Sequence, residues 1–436
     1  MKRRQQRDRE AGRAPGEDRN VKRVAEGNLA VGDAGSAEAT RWYLVSVATF
    51  MIPAGIQMVL VPYLLAIELN QPAARYGLTQ MAGQVPMLLF LLFGGWLADR
   101  VDGRRLLIAL QALAIVVPLI LVFQLWRQQL SEPLLVLYAM AFGLVSAFAI
   151  PARDGLLKRV AGKNVQRMVT LAIGVQFATQ MIGQALAGRS AQWGPIGILL
   201  LQCLVLAAGV LAAARLPPTI GPAPDAATTP RGALLQELNG GLASIFGDAA
   251  MRATFLLTIG MGIFFGGTFL VLIPLTIRDL YGGGAQDIAT GFIAFGLGTV
   301  LAIVGLTRAG GLVYPGRALV IVLLMGCGVL APILLAPPEW AFYLCIFVWG
   351  IGGGISMSMS RTILQERAAA THQSRTMAAF MLATAGGAPI GSMIMGFAVS
   401  AVTVRWAVLV PMLGVTLTTI AVSATHSIWQ LRSHSH

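Results

Sequence analysis

GGWLADRVDGRR, Gly94–Arg105, places Asp99, Arg100, Asp102, Arg104 and Arg105 within a few consecutive positions. The runs on either side, Gly77–Leu97 and Leu106–Trp126, contain no charged residue. A short charged turn between two long apolar runs is the pattern of a loop at a membrane surface, because charge is costly in hydrocarbon and backbone there must bond to itself.

The pattern repeats along the chain. With 56% hydrophobic and 12% charged positions in 436 residues, the composition departs from soluble globular domains, in which about a quarter of residues are charged. Crossing a hydrocarbon core takes about 20 apolar residues. Runs of that length start near Tyr43, Tyr76, Arg105, Pro133, Met168, Pro195, Ala253, Asp287, Arg317, Trp340, Arg375 and Thr403. They are too long for barrel strands. The expected fold class is an all-α membrane protein with twelve transmembrane helices.

An even number of spans puts both termini on one side. Of the 32 Lys and Arg, only Arg75, Arg127, Arg189, Arg278 and Arg405 fall on the opposite side, so the termini are expected to be cytoplasmic, in a multi-pass inner or plasma membrane. The net charge of +13 then sets topology and calls for no nucleic-acid partner. Residues 1–40 read as a disordered, basic cytoplasmic tail, and 426–436 as a second tail. Cys203, Cys327 and Cys345 lie within apolar spans without paired spacing and read as small buried hydrophobes.

Leu216–Ala250 opens LPPTIGPAPDAATTP, too rich in proline and threonine to span, and reads as a central cytoplasmic linker at 216–250. Within it, Leu234, Leu235, Leu238, Leu242 and Ile245 have helical spacing, expected to lie along the inner surface. This divides the chain into bundles at 41–215 and 251–425. At an offset of 208, Arg153, Leu156, Arg159, Ala161, Arg167, Ile182, Gly183 and Gly188 match Arg361, Leu364, Arg367, Ala369, Arg375, Ile390, Gly391 and Gly396. The halves therefore read as a parallel duplication, two pseudo-symmetric six-helix bundles with a binding site between them near the midplane.

Gly95, Leu97, Ala98, Asp99, Arg100, Arg104 and Arg105 resemble the loop signature G-x-L-a-D-r-x-G-r-r of the major facilitator superfamily. Asp102 occupies the place of the commonest second glycine, and with AFAIPAR (Ala147–Arg153) and GGAPIGSMIMG (Gly386–Gly396) it resembles the multidrug, macrolide-efflux and enterobactin-exporter branch. The Gly-Pro pair of the antiporter signature is absent from the fifth span, and GAPIG in the eleventh is its nearest echo. The resemblance implies the major facilitator fold, alternating access, and proton antiport. It also implies a cytoplasmic gate of Gly95, Asp99, Arg100, Arg104, Arg105 and Asp154. In that gate Asp99 accepts from free amides at the start of the eleventh helix, and Arg104 or Arg105 pairs with Asp154. The alternative is that these charges only fix topology. The second-half counterpart, Gly305–Arg317, has no acid.

No acid lies at mid-span. Glu68 and Asp287, at span ends, are the proton-coupling candidates, against the alternative of acids exposed at the outer surface. Gln176, Gln180 and Gln184 share one face of the fifth helix, Gln80 and Gln84 one face of the second, and Gln57 sits mid-way along the first. Gln57, Gln84, Gln176 and Gln180 are the substrate-binding candidates, with helix joining as their other role. Gly183, Gly188, Gly391 and Gly396 are candidates for helix packing or a rocking hinge. With no P-loop, HExxH or nucleophile elbow, neither enzymatic activity nor a cofactor or metal is expected. The expected function is secondary export of an amphipathic small molecule such as a drug, siderophore or metabolite. A lysolipid flippase and a non-transporting membrane receptor are the alternatives. Expected partners are that molecule, the bilayer and protons, and the chain is expected to be a monomer.

Overall fold

The computed structural model describes residues 17–98, 100–161, 165–216, 240–368, 373–425 and 428–431. Asp99, most of the 216–250 linker, residues 1–16 of the first tail and most of the second lie outside them. Twelve long helices follow one another, with no strand among the described residues. The first bundle comprises α1 (Glu17–Tyr63, continued by a π turn Leu64–Glu68), α2 (Ala73–Ala98), α3 (Gly103–Trp126), α4 (Glu132–Ala161), α5 (Val165–Gly188) and α6 (Ser190–Ala214). The second comprises α7 (Ala249–Gly267, then a π turn Thr268–Leu272 and Ile273–Tyr281), α8 (Ala285–Arg308), α9 (Pro315–Leu330), α10 (Glu339–Arg367), α11 (Gln373–Ala401) and α12 (Leu409–Thr425).

Eleven helical segments are long and apolar enough to cross a membrane. Helix α2, of 26 residues, completes the twelve. Helix α1 begins within the stretch read from composition as polar tail. No proline interrupts 17–40, and its Ala, Glu, Lys and Arg are good helix formers. Its membrane-length part starts at Ala37. Cys203, Cys327 and Cys345 are free thiols, the first two buried.

The duplication is visible in the packing. In the first bundle α1 lies on α5 and α6, α2 on α4, and α3 on α4 and α6. In the second, α7 lies on α11 and α12, α8 on α10, and α9 on α10 and α12. Adding six to each helix number turns one set into the other. The bundles meet through α2–α11 and α5–α8, which are also related by that shift.

Glycines set these approaches. A Cβ at Gly183 would strike the Ile52 carbonyl of α1, and one at Gly391 the Ile263 carbonyl of α7. Gly188 and Gly396 act between bundles instead. A Cβ at Gly188 would lie 3.0 Å from Ala289 Cβ of α8, and one at Gly396 2.7 Å from the Ala73 carbonyl of α2. The four candidate glycines thus divide into two within bundles and two between them.

The described end of the linker, 240–247, is helical. Ile245 and Leu242 pack with Met251, Phe255, Leu364, Ala379 and Phe380, which ties the linker to the second bundle. Asp248 follows and caps α7, its carboxylate accepting from the Ala250 and Met251 amides at 2.8 Å and from Arg367 Nη1 of α10 at 3.1 Å. Burial disfavours the ionised form, but the Met251, Arg367 and Ala250 donors outweigh it and hold the Asp248 carboxyl below the usual carboxylate range. A lowered pKa stabilises the fold above the unfolded value and stops doing so as pH falls through the folded one. Asp248→Ala is therefore expected to cost about 1 kcal/mol near neutral pH. In a thermal melt the gap from wild type should narrow below about pH 4.

Candidate functional site

The bundle contact runs from the end holding the α1–α2 loop to the middle of the molecule. Along one face of α2, Gly77 presses on Ser392 and Gly396, Gln84 Nε2 donates to Ser392 Oγ at 3.3 Å, and Leu88 Cδ1 lies 3.5 Å from a Cβ built at Gly386. Gly95, two turns further on, has nothing within 4 Å of its Cβ position among the described residues. The described interlocking of α2 with α11 ends before it.

At the closed end, each bundle bonds to the other's π turn. Tyr76 OH and Gln80 Nε2 donate to the Leu270 carbonyl in the α7 π turn at 3.0 and 3.5 Å. In return, Arg278 Nη1 of α7 donates to the Ala66 carbonyl in the α1 π turn at 3.4 Å and to the Gln71 carbonyl at 2.9 Å. Arg278 also pairs with Asp279, and the Ala74 amide donates to Ser400 Oγ at 2.8 Å. Neither Tyr76 nor Arg278 is a candidate from sequence. Arg278 had one legible signal, a cation on the side poor in cations.

Two adjoining cavities, an aromatic and an amide lobe, have Met58 in the lining of both. One, about 330 Å³, is lined by Phe265, Phe269, Phe292, Phe295 and Trp349 from α7, α8 and α10, with methionines and Gln180 and Gln184 of α5. Its rings form a box, with Phe269 centred 4.6 Å from Phe295 and 4.8 Å from Phe292, and Trp349 5.1 Å from Phe295 and 5.4 Å from Phe265. The other lobe, about 310 Å³, is lined by Gln57, Gln80 and Gln84 with Phe142, Ser146 and Leu270. Neither lining contains an ionisable side chain.

Of the glutamines predicted from sequence, Gln57 and Gln84 reach the amide lobe and Gln180 the aromatic one. Gln176 does not line either; its Oε1 accepts from Arg153 Nη2 at 3.4 Å. Gln180 and Gln184 donate to Met58 Sδ at 3.7 and 3.3 Å, a weak acceptor. Gln184 Oε1 is buried without a hydrogen-bond partner among the described residues. Phe265 with Phe269 and Phe292 with Phe295 have helical spacing, but the five aromatic residues are scattered over three helices and nothing along the chain shows that they meet.

Glu68 is exposed and accepts from Tyr63 OH. Asp287 holds the start of α8, its Oδ2 accepting from the Gly284 amide at 2.7 Å. Both therefore sit at the closed end, away from the lobes.

At the other end, Asp102 caps α3, accepting from the Arg104 amide at 2.9 Å, which accounts for an acid where a glycine is commoner. Arg104 Nη2 donates to the Ala214 carbonyl at the end of α6, Arg105 faces Asp102 at 3.9 Å, and Asp154 is exposed on α4. Arg100 lies over the Trp96 ring at 4.4 Å.

The model of the Major Facilitator Superfamily matches residues 43–392. The chain belongs to this superfamily. No curated protein sequence matches it. Its fold is similar to solved structures of other transporters. A mutant form of the nucleoside transporter NupG superposes with a TM-score of 0.70 at 14% identity, covering 89% of this chain and 99% of that one. A bacterial homologue of the human lysosomal transporter Spinster, inward-facing and unoccupied, gives 0.62 at 13% identity, with 91% and 96% covered. A POT family transporter in complex with a thioalcohol-conjugated peptide gives 0.66 at 14% identity, with 90% and 96% covered. At these identities the likeness is one of fold. The chain is thus a multi-pass membrane transporter of this superfamily, in an arrangement closed at the α1–α2 end.

Proposed function

We propose that this transporter exports an amphipathic small molecule, binding it in the two adjoining lobes and rocking the bundles about it. The observation that supports this most directly is an aromatic box beside a row of amides, in adjoining cavities whose linings carry no charge. The box takes an apolar ring system through stacking and burial. The amides of Gln57, Gln84 and Gln180 bond to polar groups of the same molecule without demanding a charge. With the termini cytoplasmic, as the distribution of Lys and Arg supports, the present arrangement is open toward the cytoplasm and ready to load cargo. The sequence resemblance to the multidrug and siderophore exporters supports the same direction.

The gate belongs to the opposite arrangement. There α11 approaches α2 along the face of Gly95, and Asp99 accepts from the free amides at the start of α11, near Arg375. Gly95→Ala tests this separately. It should leave the melting temperature of the present arrangement unchanged or higher, since alanine favours a helix by about 0.5–1 kcal/mol, and should slow the transport cycle by obstructing the closing approach.

The deciding experiment is flux of a fluorescent aromatic amphiphile in proteoliposomes with and without a pH gradient. Trp349→Ala, which removes the ring joining Phe265 to Phe295, is expected to weaken cargo binding by about 2 kcal/mol, or about 30-fold in Kd. Flux that follows the gradient and is lost in Glu68→Gln, or in Asp287→Asn, assigns proton antiport to that carboxylate. Flux indifferent to the gradient makes the protein a facilitator. Movement of labelled lysolipid in place of the amphiphile overturns the cargo assignment in favour of a flippase, and binding without flux makes it a receptor.

A further inference from the structure

Three helices carry the lining of the amide lobe or its neighbour toward the open end, and they converge on one side chain. On α4, Ala139, Phe142 and Ser146 line the lobe. Arg153 stands seven residues beyond Ser146, on the same face and about 10 Å further along the axis. On α5, Gln176 is one turn beyond Gln180 of the aromatic lobe, and its Oε1 accepts from Arg153 Nη2 at 3.4 Å. On α1, Tyr43 OH donates to the Arg153 carbonyl at 3.3 Å. Phe50 continues the wall by stacking on Phe142 at 6.0 Å.

Arg153 is only 8% exposed. Tyr43, which bonds to its carbonyl, belongs to an apolar cluster that also holds Val47, Phe50, Ala149, Ala152 and Met168. Its Nη1 is shielded from solvent and has no hydrogen-bond partner among the described residues. None of the ion pairs among the described residues includes it. A buried guanidinium is ordinarily retained with a carboxylate or another oxyanion to bond, and five donors in a planar fork fit such a group at two oxygens. Gln176, with its oxygen committed to Arg153, has its amide NH₂ left to donate to the same anion.

We propose that Arg153, oriented by Gln176, is the subsite for an acidic group on the cargo, so that the substrate class is an anionic amphiphile, with its ring system in the aromatic lobe and its carboxylate, sulfonate or phosphate toward the open end. This rests on the cavity being the transport site. It adds a charge preference that neither lobe lining provides. The symmetry-related Arg361 is exposed on α10, so the subsite belongs to the first bundle alone.

The test uses dansylated undecanoic acid and its methyl ester as probes of the full-length protein in phosphatidylcholine vesicles, titrated by fluorescence. Wild type is expected to bind the acid about tenfold or more tightly than the ester, as a hydrogen-bonded charge partner provides. Arg153→Gln should bring the acid to the ester's affinity and leave the ester unchanged, and Arg153→Lys should fall between. Where Arg153→Gln does not fold, Gln176→Leu, which keeps the charge but removes its orienting acceptor, should lower the acid-to-ester ratio. An unchanged ratio in these variants overturns the proposal, as does equal weakening of both probes. A preference in wild type that vanishes when phosphatidylglycerol is added assigns the oxyanion to a lipid headgroup and overturns the cargo assignment. If neither probe responds to Trp349→Ala, the cavity reading has failed. If the ester responds to Trp349→Ala and the ratio ignores Arg153, only this inference has failed.

Discussion

Tyr76→Phe combined with Arg278→Gln is expected to open the molecule at the α1–α2 end. Tyr76 is fully buried, and its hydroxyl crosses to the Leu270 carbonyl; Arg278 crosses the other way to Ala66 and Gln71. A neutral hydrogen bond contributes about 1 kcal/mol net, and one from a charged donor about 1.5–3 kcal/mol. Together they hold the closed arrangement by about 2–4 kcal/mol, a population ratio of roughly 30 to 1,000. Phenylalanine keeps the ring that packs, so besides the crossing bonds the double variant gives up only contacts within one bundle, Gln80 to the Tyr76 hydroxyl and Arg278 to Asp279. Spin labels at the exposed positions Arg75 of α2 and Gln286 of α8 report the separation of the bundles. The double variant should move most of the distance distribution to longer values. An unaltered distribution would show that the glycine contacts alone keep this end shut. Because the π turns furnish acceptors to both sides, each single variant should produce part of the shift.

The second large effect concerns packing within the bundles. Gly183→Ala and Gly391→Ala each drive a methyl group into a backbone carbonyl of a neighbouring helix, Ile52 of α1 and Ile263 of α7 respectively. A side chain could rotate away, whereas a helical carbonyl moves only with its helix. Each substitution is expected to cost about 1–3 kcal/mol or more, read as a lower melting temperature in detergent. Gly95→Ala is the contrasting case, since its Cβ position is open. Equal melting behaviour of all three would mean that the close crossings of α1 with α5 and α7 with α11 are looser than the geometry requires.

Much of the architecture was legible along the chain because lipid imposes a local rule: about 20 apolar residues, then charge. The spans, the duplication at offset 208 and the superfamily signature follow from such runs. The glutamines at Gln57, Gln84 and Gln180 were legible as costly amides in lipid, and they do reach the cavity. Gln176, with the same spacing, binds Arg153 instead, because helical phase tells which residues share a face but not what that face meets one turn on.

What the sequence determined by itself is an all-helical membrane protein of two related bundles, since hydropathy and charge are properties of consecutive residues. Only the tertiary structure decided which residues meet between the bundles. The aromatic box draws on α7, α8 and α10, the closure at the α1–α2 end pairs Tyr76 with Leu270, and the buried Arg153 of α4 meets Tyr43 of α1 and Gln176 of α5 with no ion pair among the described residues. These groups come together through helix crossings set by close glycine contacts. A contact between positions some two hundred residues apart leaves no periodic trace in the chain.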